Sequence, residues 1–214
     1  MARRLVSITL DNLGDLPSRC RKCVFWELDP VASERACASG DPGLEKEAWV
    51  SDTLLEWGSC GNLLYVDRAP AGYVLYAPPA YVPRAVAFAT SPPSPDAVLL
   101  MTARLMPEFV GGGLGRTLVQ AAARDVARRG IRAIEAFGRT GAAGTGERPG
   151  RADYGCLLPA DYLRAVGFKT VRAHPKTPRL RLDIRTTVTW REDVEYALDR
   201  LLGGVSIPAL AVRG

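Results

Sequence analysis

Hydrophobic positions along the chain follow two periods, one typical of strands and one typical of helices. The segment 97–106 is almost continuously apolar, which predicts a strand buried on both faces. Apolar residues three or four positions apart predict amphipathic helices after Asp41-Pro42 and after Gly115. Shorter runs predict further strands at 5–10, 62–66, 72–76, 131–137, 168–173 and 179–185, and further helices at 158–166 and 189–202. This order of elements predicts an α/β fold.

The length of the chain favours one domain with additional segments. A chain of 214 residues can bury a full core without disulfides. A stretch rich in glycine, arginine and threonine at 138–153 predicts a mobile loop. Thr189-Trp-Arg-Glu192 has the form of a capping box that opens a final helix. We therefore expect a domain at 1–188 and a C-terminal helix and tail at 189–214, which belongs to the same domain or forms a homodimer contact.

Composition and charge argue against several classes of protein. The net charge of +5 comes from 28 basic and 23 acidic residues spread over the chain, which is too weak to indicate a nucleic-acid-binding protein. The first apolar stretch ends at Asp11 without a cleavage site, so no export signal is predicted, and no apolar run is long enough for a membrane span. Five cysteines in such a chain are most simply reduced thiols. We expect a cytoplasmic protein that does not contact membranes.

The segment between the buried strand and the following helix carries the chemical signal. It reads Leu105-Met-Pro-Glu-Phe-Val-Gly-Gly-Gly-Leu-Gly-Arg116. A glycine loop at the start of a helix gathers unpaired backbone N–H groups and the positive end of the helix dipole, which suits a phosphate group. Arg116-Thr117 replaces the Lys-Ser/Thr of a nucleoside triphosphate loop, and the Gly-x-Gly-x-x-Gly spacing of a dinucleotide site is not met. The segment predicts another phosphate-bearing ligand.

This segment resembles the acyl-CoA binding motif of the GNAT superfamily of N-acyltransferases, Arg/Gln-x-x-Gly-x-Gly/Ala after a strand. Val110 stands where the family usually has Arg or Gln. The later segment Asp161-Tyr-Leu-Arg-Ala-Val-Gly-Phe168 is similar to a second signature of the family, aromatic-Tyr-x-x-x-Gly-Phe. The resemblance implies a mixed, mostly antiparallel sheet that is flanked by helices and splayed where acetyl-CoA, or another acyl-CoA, enters.

The resemblance also implies a reaction and the residues that take part in it. The amine of a small molecule or peptide attacks the thioester of acetyl-CoA directly, so one proton must leave the amine and another must reach the CoA thiolate. Leu163 stands where the family often has a tyrosine acid, which leaves Tyr162 and Cys156 as candidate acids. Glu135 and Glu27 are candidate bases, and proton relay through water is the alternative. The residues implied for the cofactor are Leu105, Val110, Gly111, Gly112, Gly113, Leu114, Gly115 and Arg116.

Two other functions remain open at this point. A non-catalytic regulatory protein that holds acyl-CoA is favoured by Val110 and Leu163, while a nucleic-acid module using the arginine-rich helix is less favoured. The pair Cys20-x-x-Cys23 has three possible roles: two cysteines packed in the structure, half of a metal site, or a redox motif. The remaining cysteines and His174 are scattered along the chain, so we expect no metal.

Overall fold

The computed structural model describes residues 2–141 and 156–184. Within these residues, eight strands join in one sheet: β1 (Arg3–Ser7), β2 (Gly61–Val66), β3 (Ala69–Ala77), β4 (Ala97–Leu105), β5 (Ala133–Arg139), β6 (Leu158–Pro159), β7 (Lys169–Arg172) and β8 (Arg179–Asp183). The strand order is β1-β2-β3-β4-β5-β8-β7, and β6 pairs with β5. The pairs β4–β5 and β5–β6 are parallel, and the others described are antiparallel. The predicted mixed, mostly antiparallel sheet is confirmed.

Capping aspartates begin two of the helices. The described ranges contain five α-helices: α1 (Ser18–Arg21), α2 (Pro30–Ser39), α3 (Pro42–Glu56), α4 (Leu114–Arg128) and α5 (Ala160–Ala165). At the start of α3 the Asp41 carboxylate accepts hydrogen bonds from the amides of Gly43 and Leu44 at 2.8 and 3.3 Å, as the sequence predicts. Helix α2 is missing from the prediction, although Asp29 caps it in the same way. The signal Asp-Pro therefore marks both helix starts.

Two predicted boundaries near the amino-terminal half of the sheet are wrong. Strand β1 ends at Ser7, because the Asn12 side chain folds back and donates to the Ser7 carbonyl oxygen at 2.8 Å, and a 3₁₀ helix follows. The turn between β2 and β3 lies at Asp67 and Arg68, one position earlier than expected. These two residues have φ angles of 48° and 74°, the left-handed region that a two-residue hairpin turn uses.

Hydrophobic layers cover both faces of the sheet. Leu118 of α4 and Leu163 of α5 pack with Leu64 on one face, which we call the α4 face. The opposite face, which we call the α3 face, packs Leu63 with Val50 of α3 and with the amino-terminal segment. Because neighbouring residues of β2 point to opposite faces, Leu63 and Leu64 belong to different layers. The central strands are thus buried on both sides, as the continuous apolar run at 97–106 predicts.

The sheet opens between β4 and β5. These two strands pair at only three positions, ending at Leu99 and Glu135. Beyond this point β4 continues to Leu105 beside β3, with a bulge at Met101, whereas β5 pairs with β6 through Gly138 and Leu158. The wedge between the second halves of β4 and β5, which we call the opening, confirms the predicted splay.

Several predictions lie outside the described residues. They include most of the loop expected at 138–153, namely residues 142–153, and the helix and tail expected at 189–214, so the homodimer contact stays a prediction. In the two described stretches, no helix combines the length and the apolar character that a bilayer span demands.

Candidate functional site

The glycine loop connects the open end of β4 to α4. Gly111 and Gly113 have φ angles of 99° and 72°, a left-handed conformation that glycine adopts without steric cost. Gly113 is the N-cap of α4. A Cβ built at either position would meet no atom within 4 Å, so the space over the loop is open. The backbone conformation therefore requires the glycines, and the N–H groups at the start of α4 face accessible space.

The two sequence motifs meet at the first turn of α4. A Cβ at Gly115 would lie 2.9 Å from the Tyr162 hydroxyl oxygen, so α5 can pack this closely only against glycine. The Arg116 guanidinium donates to the Ala165 carbonyl oxygen, at the end of α5, at 2.9 Å. Val110, in the position where the resemblance implies Arg or Gln, is exposed. Contacts at Gly115 and Arg116 thus hold α5 against the first turn of α4, directly after the glycine loop.

Tyr162 points toward the glycine loop, whereas Leu163 points into the core. The Tyr162 hydroxyl is buried and finds no hydrogen-bond partner among the described residues. Burial raises the pKa of Tyr162, and the Arg116 charge partly opposes that effect. Leu163 is completely buried in the layer of the α4 face. Tyr162, which precedes the implied acid position, is therefore the residue of this pair that borders the glycine loop.

Glu135 is engaged in a buried ion-pair network at the closed end of the opening. Its carboxylate is paired with Arg179 and lies 3.5 Å from Arg181. It also accepts hydrogen bonds from the Ser94 amide at 3.1 Å and the Ser94 hydroxyl at 2.6 Å. The Glu135 residue is completely buried. Protein groups therefore surround this candidate base.

Glu27 has a partner that the sequence analysis missed. Its carboxylate is paired with Lys46 of α3, and both residues are only 3% exposed. The Trp26 amide donates to the second carboxylate oxygen at 3.2 Å. The Trp26 ring lies 5.5 Å from the ring of Phe88, measured between centroids. In the sequence Lys46 stands between two acidic residues of α3, a pattern typical of an exposed helix surface. The sequence therefore gave no signal that Lys46 is the buried partner of Glu27.

Cys156 lies beside Cys23 on the α3 face. The two Sγ atoms are 3.1 Å apart, although the residues are separated by 133 positions in the chain. A hydrogen bond from the Cys156 thiol lowers the pKa of Cys23 to about 7, with further help from the Phe25 amide and the Lys46 charge, against burial and Glu27. The same contact, together with burial, raises the pKa of Cys156. Cys23 is therefore the thiol of the pair that ionises first.

The motif Cys20-x-x-Cys23 is not a self-contained pair. Cys20 has a hydrogen bond with Tyr73 of β3, and burial, followed by the interaction with Cys20, raises the pKa of Tyr73. In residues 2–141 and 156–184, no group of three or more histidine, cysteine, aspartate or glutamate side chains is arranged to hold a metal ion.

Tyr73 and Arg104 are functional candidates that the sequence analysis missed. They are register partners on β3 and β4, beside the opening. The pKa values of Tyr73 and Cys156 are both raised overall, and the positive charge of Arg104 partly opposes this rise at each residue. A signal was available, because Arg104 is the one charged residue in the strand predicted at 97–106.

Comparisons with known proteins reveal likeness at the level of the fold. No family model matches the sequence, and no curated protein matches it. The chain is similar to PaiA N-acetyltransferase from Thermoplasma acidophilum in complex with coenzyme A, with 12% identity, a TM-score of 0.53 and coverage of 86% of this chain and 99% of that chain. It is also similar to an N-acetyltransferase from Staphylococcus aureus Mu50, with 10% identity, a TM-score of 0.52 and coverage of 86% and 99%. A third similar structure is the loading GNATL domain of CurA from Lyngbya majuscula, with 13% identity, a TM-score of 0.52 and coverage of 87% of this chain and 100% of that chain. The chain has the GNAT fold.

Proposed function

We propose that this protein is an acyl-CoA-dependent N-acyltransferase that moves an acetyl group from acetyl-CoA to a primary amine of a small molecule or peptide. The observation that carries the proposal is the glycine loop, which lies between the open end of β4 and the first turn of α4. This position provides backbone N–H groups for phosphate next to a gap in the sheet for an acyl chain. The GNAT fold supports the same conclusion.

The residues of the loop fit a CoA pyrophosphate. Open space above Gly111 and Gly113 leaves room for the phosphate groups, and the left-handed conformations turn successive amides outward. We assign phosphate binding to the amides of Gly111–Gly115 and the positive end of α4, since the Arg116 amide already donates to the Gly113 carbonyl oxygen at 3.1 Å. Val110 contributes no charge to this site, so backbone donors carry the binding. When bound, the cofactor supplies an acyl thioester.

We assign proton donation to Tyr162. Its hydroxyl borders Gly115, has no hydrogen-bond partner among the described residues, and has a raised pKa, so it stays protonated at neutral pH. The carboxylates of Glu135 and Glu27 are held in buried ion pairs. We therefore assign these two residues structural roles and propose that the amine loses its proton to water. Cys156 is engaged with Cys23 rather than available as an acid.

A screen of amines tests this function. Purified protein is incubated with acetyl-CoA and a panel of small amines and peptides with free amino groups, and release of the CoA thiol is followed with a chromogenic thiol reagent in parallel with mass analysis of the products. We expect one class of amine to be acetylated with equal release of thiol. Stabilisation by CoA without acetylation of any amine would instead support the regulatory acyl-CoA-binding protein, and a protein that CoA does not stabilise would contradict both.

A further inference from the structure

We propose that Cys23 and Cys156 form an oxidisable dithiol site, which peroxide converts to a disulfide and which controls acyl transfer at the opening. The two Sγ atoms are 3.1 Å apart, about 1 Å more than a disulfide bond length. Both residues are partly exposed, so a small oxidant can reach them. The site lies outside the glycine loop, and neither thiol takes part in the chemical step of acyl transfer described above.

The surroundings of the two thiols give them different tasks. Cys23 receives hydrogen bonds from the Cys156 thiol and the Phe25 amide and lies within the field of Lys46, all of which favour its thiolate, while Glu27 and burial oppose it. Cys156 lies within the field of Arg104 but keeps its proton, because its partner already carries the negative charge. Cys23 is thus the attacking thiolate, and Cys156 is the thiol that resolves the product.

The chemistry balances with hydrogen peroxide as the oxidant. The Cys23 thiolate attacks one oxygen of the peroxide, which breaks the O–O bond, gives a sulfenic acid and releases hydroxide. The Cys156 sulfur then attacks the Cys23 sulfur and displaces the hydroxyl group, which leaves as water with the thiol proton. The two sulfur atoms together lose two electrons, and the peroxide gains them. A dithiol reductant reverses the change by thiol–disulfide exchange.

A disulfide at this site links the two walls beside the opening. Cys23 follows α1 on the α3 face, and Cys156 lies two residues before β6, which pairs with β5 at the edge that lines the opening. Because the two sulfur atoms already lie 3.1 Å apart, the bond changes the resting structure little, but it holds the amino-terminal segment against β6. We infer that it prevents the separation of these two walls that entry of the amine needs. This consequence rests on the proposed function. The glycine loop belongs to other elements, so we expect CoA binding to continue in the oxidised protein.

Mapping of disulfides in the full chain tests the site without any assay of activity. The reduced protein is treated with hydrogen peroxide, remaining thiols are alkylated, and proteolytic peptides are analysed by mass spectrometry. We expect a linked peptide that contains Cys23 and Cys156, formed equally in Cys20→Ser and Cys37→Ser and lost in Cys23→Ser. Cys60 serves as an internal control, because burial raises the pKa of its thiol to about 12 and it should stay reduced. A peptide linking Cys20 to Cys23, or no linked peptide, overturns the proposal.

The rate of acyl transfer and the stabilisation by CoA then test the control. In the parent and in Cys20→Ser, oxidation should abolish transfer, a dithiol reductant should restore it, and the increase in Tm with CoA should be the same in both states. An oxidised protein that carries the disulfide and transfers at the reduced rate overturns the regulatory part. If no amine is acetylated by the reduced protein, the proposed function fails, whereas the linked peptide still decides the dithiol site.

Discussion

The hydroxyl group of Tyr162 lies over Gly115, at a distance that leaves no room for a Cβ on the helix. A Cβ would be 2.9 Å from the hydroxyl oxygen but 3.4 and 3.5 Å from the nearest ring carbons. The contact joins α5 to the first turn of α4, where the proposed phosphate site lies. It also makes the position of the tyrosine dependent on the absence of a side chain at Gly115.

The contact between these residues predicts a coupled effect on stability. Gly115→Ala should lower the free energy of unfolding by about 1–2 kcal/mol, because overpacking costs about 1–3 kcal/mol and alanine regains up to about 1 kcal/mol in a helix. In a Tyr162→Phe background the cost should fall, since the hydroxyl oxygen is gone. Urea unfolding of the four proteins measures this coupling. Equal costs in both backgrounds would show that the hydroxyl contact carries no strain.

Removal of the Tyr162 hydroxyl should affect the chemical step. If Tyr162 donates the proton, Tyr162→Phe should lower kcat by about 10²–10⁴ and leave the KM for acetyl-CoA little changed. Tyr81→Phe is the matched control, because the Tyr81 hydroxyl donates to Glu56 at the surface, at 3.0 Å. Steady-state kinetics with an accepted amine provide the measurement. A Tyr162→Phe enzyme with the parental kcat excludes this residue as the acid.

A carboxylate placed in the glycine loop should prevent CoA binding. Gly112→Glu is suitable for two reasons. The nearest atom to a Cβ at this position is the Cγ of Leu114, 3.9 Å away, and the φ angle of Gly112 lies outside the left-handed region. The parent should be stabilised by about 2.7 kcal/mol at a CoA concentration of 100 Kd, and the variant should lose this gain through charge repulsion. The Tm with and without CoA measures the effect. Gly14→Glu, also in open space, should keep the full increase; if Gly112→Glu keeps it too, the phosphate lies elsewhere.

Replacement of Glu135 should affect stability more than catalysis. Glu135→Gln leaves the Arg179 guanidinium buried without its counter-charge, so we expect a loss of about 3–5 kcal/mol in the free energy of unfolding. The double variant with Arg179→Met should recover part of that loss. Chemical denaturation measures both proteins. A stable Glu135→Gln protein whose transfer rate falls most near neutral pH would restore Glu135 as the base.

The reactivity of Cys23 should depend on pH in a way that reports its partner. Because its pKa is lowered to about 7, the thiolate fraction and the rate of alkylation by iodoacetamide should rise as pH increases through 7 and then level off. In Cys156→Ala the hydrogen-bond donor is absent, so the midpoint should move to higher pH, toward that of an ordinary thiol. Mass spectrometry of the Cys23 peptide measures the rate. An unchanged midpoint in Cys156→Ala would assign the lowered pKa to Lys46 and the Phe25 amide.

Local signals in the sequence predicted the elements that place the site. The apolar run of β4, the glycines before α4 and the Asp41 cap all act within a few residues, and the structure has these elements where the pattern puts them. The relationship of Cys23 to Cys156 could not be predicted, because it brings together thiols 133 positions apart through packing on the α3 face. The direction of Tyr162 was likewise outside the reach of the pattern, since it depends on how α5 docks on α4.

The three-position pairing of β4 with β5 has a consequence for the mechanical behaviour of the molecule. The strands β1–β4 and β5–β8 are joined by a short ladder at one end, while α4 packs against Leu64 of one group and Ile134 of the other. Helix α4 therefore bridges the two groups of strands, which we expect to open as two separate cooperative units linked by the short ladder. In native-state hydrogen exchange, the amides within each group of strands should then exchange together. The hydrogen bonds between β4 and β5 next to Leu99 should determine the free energy at which one group opens without the other.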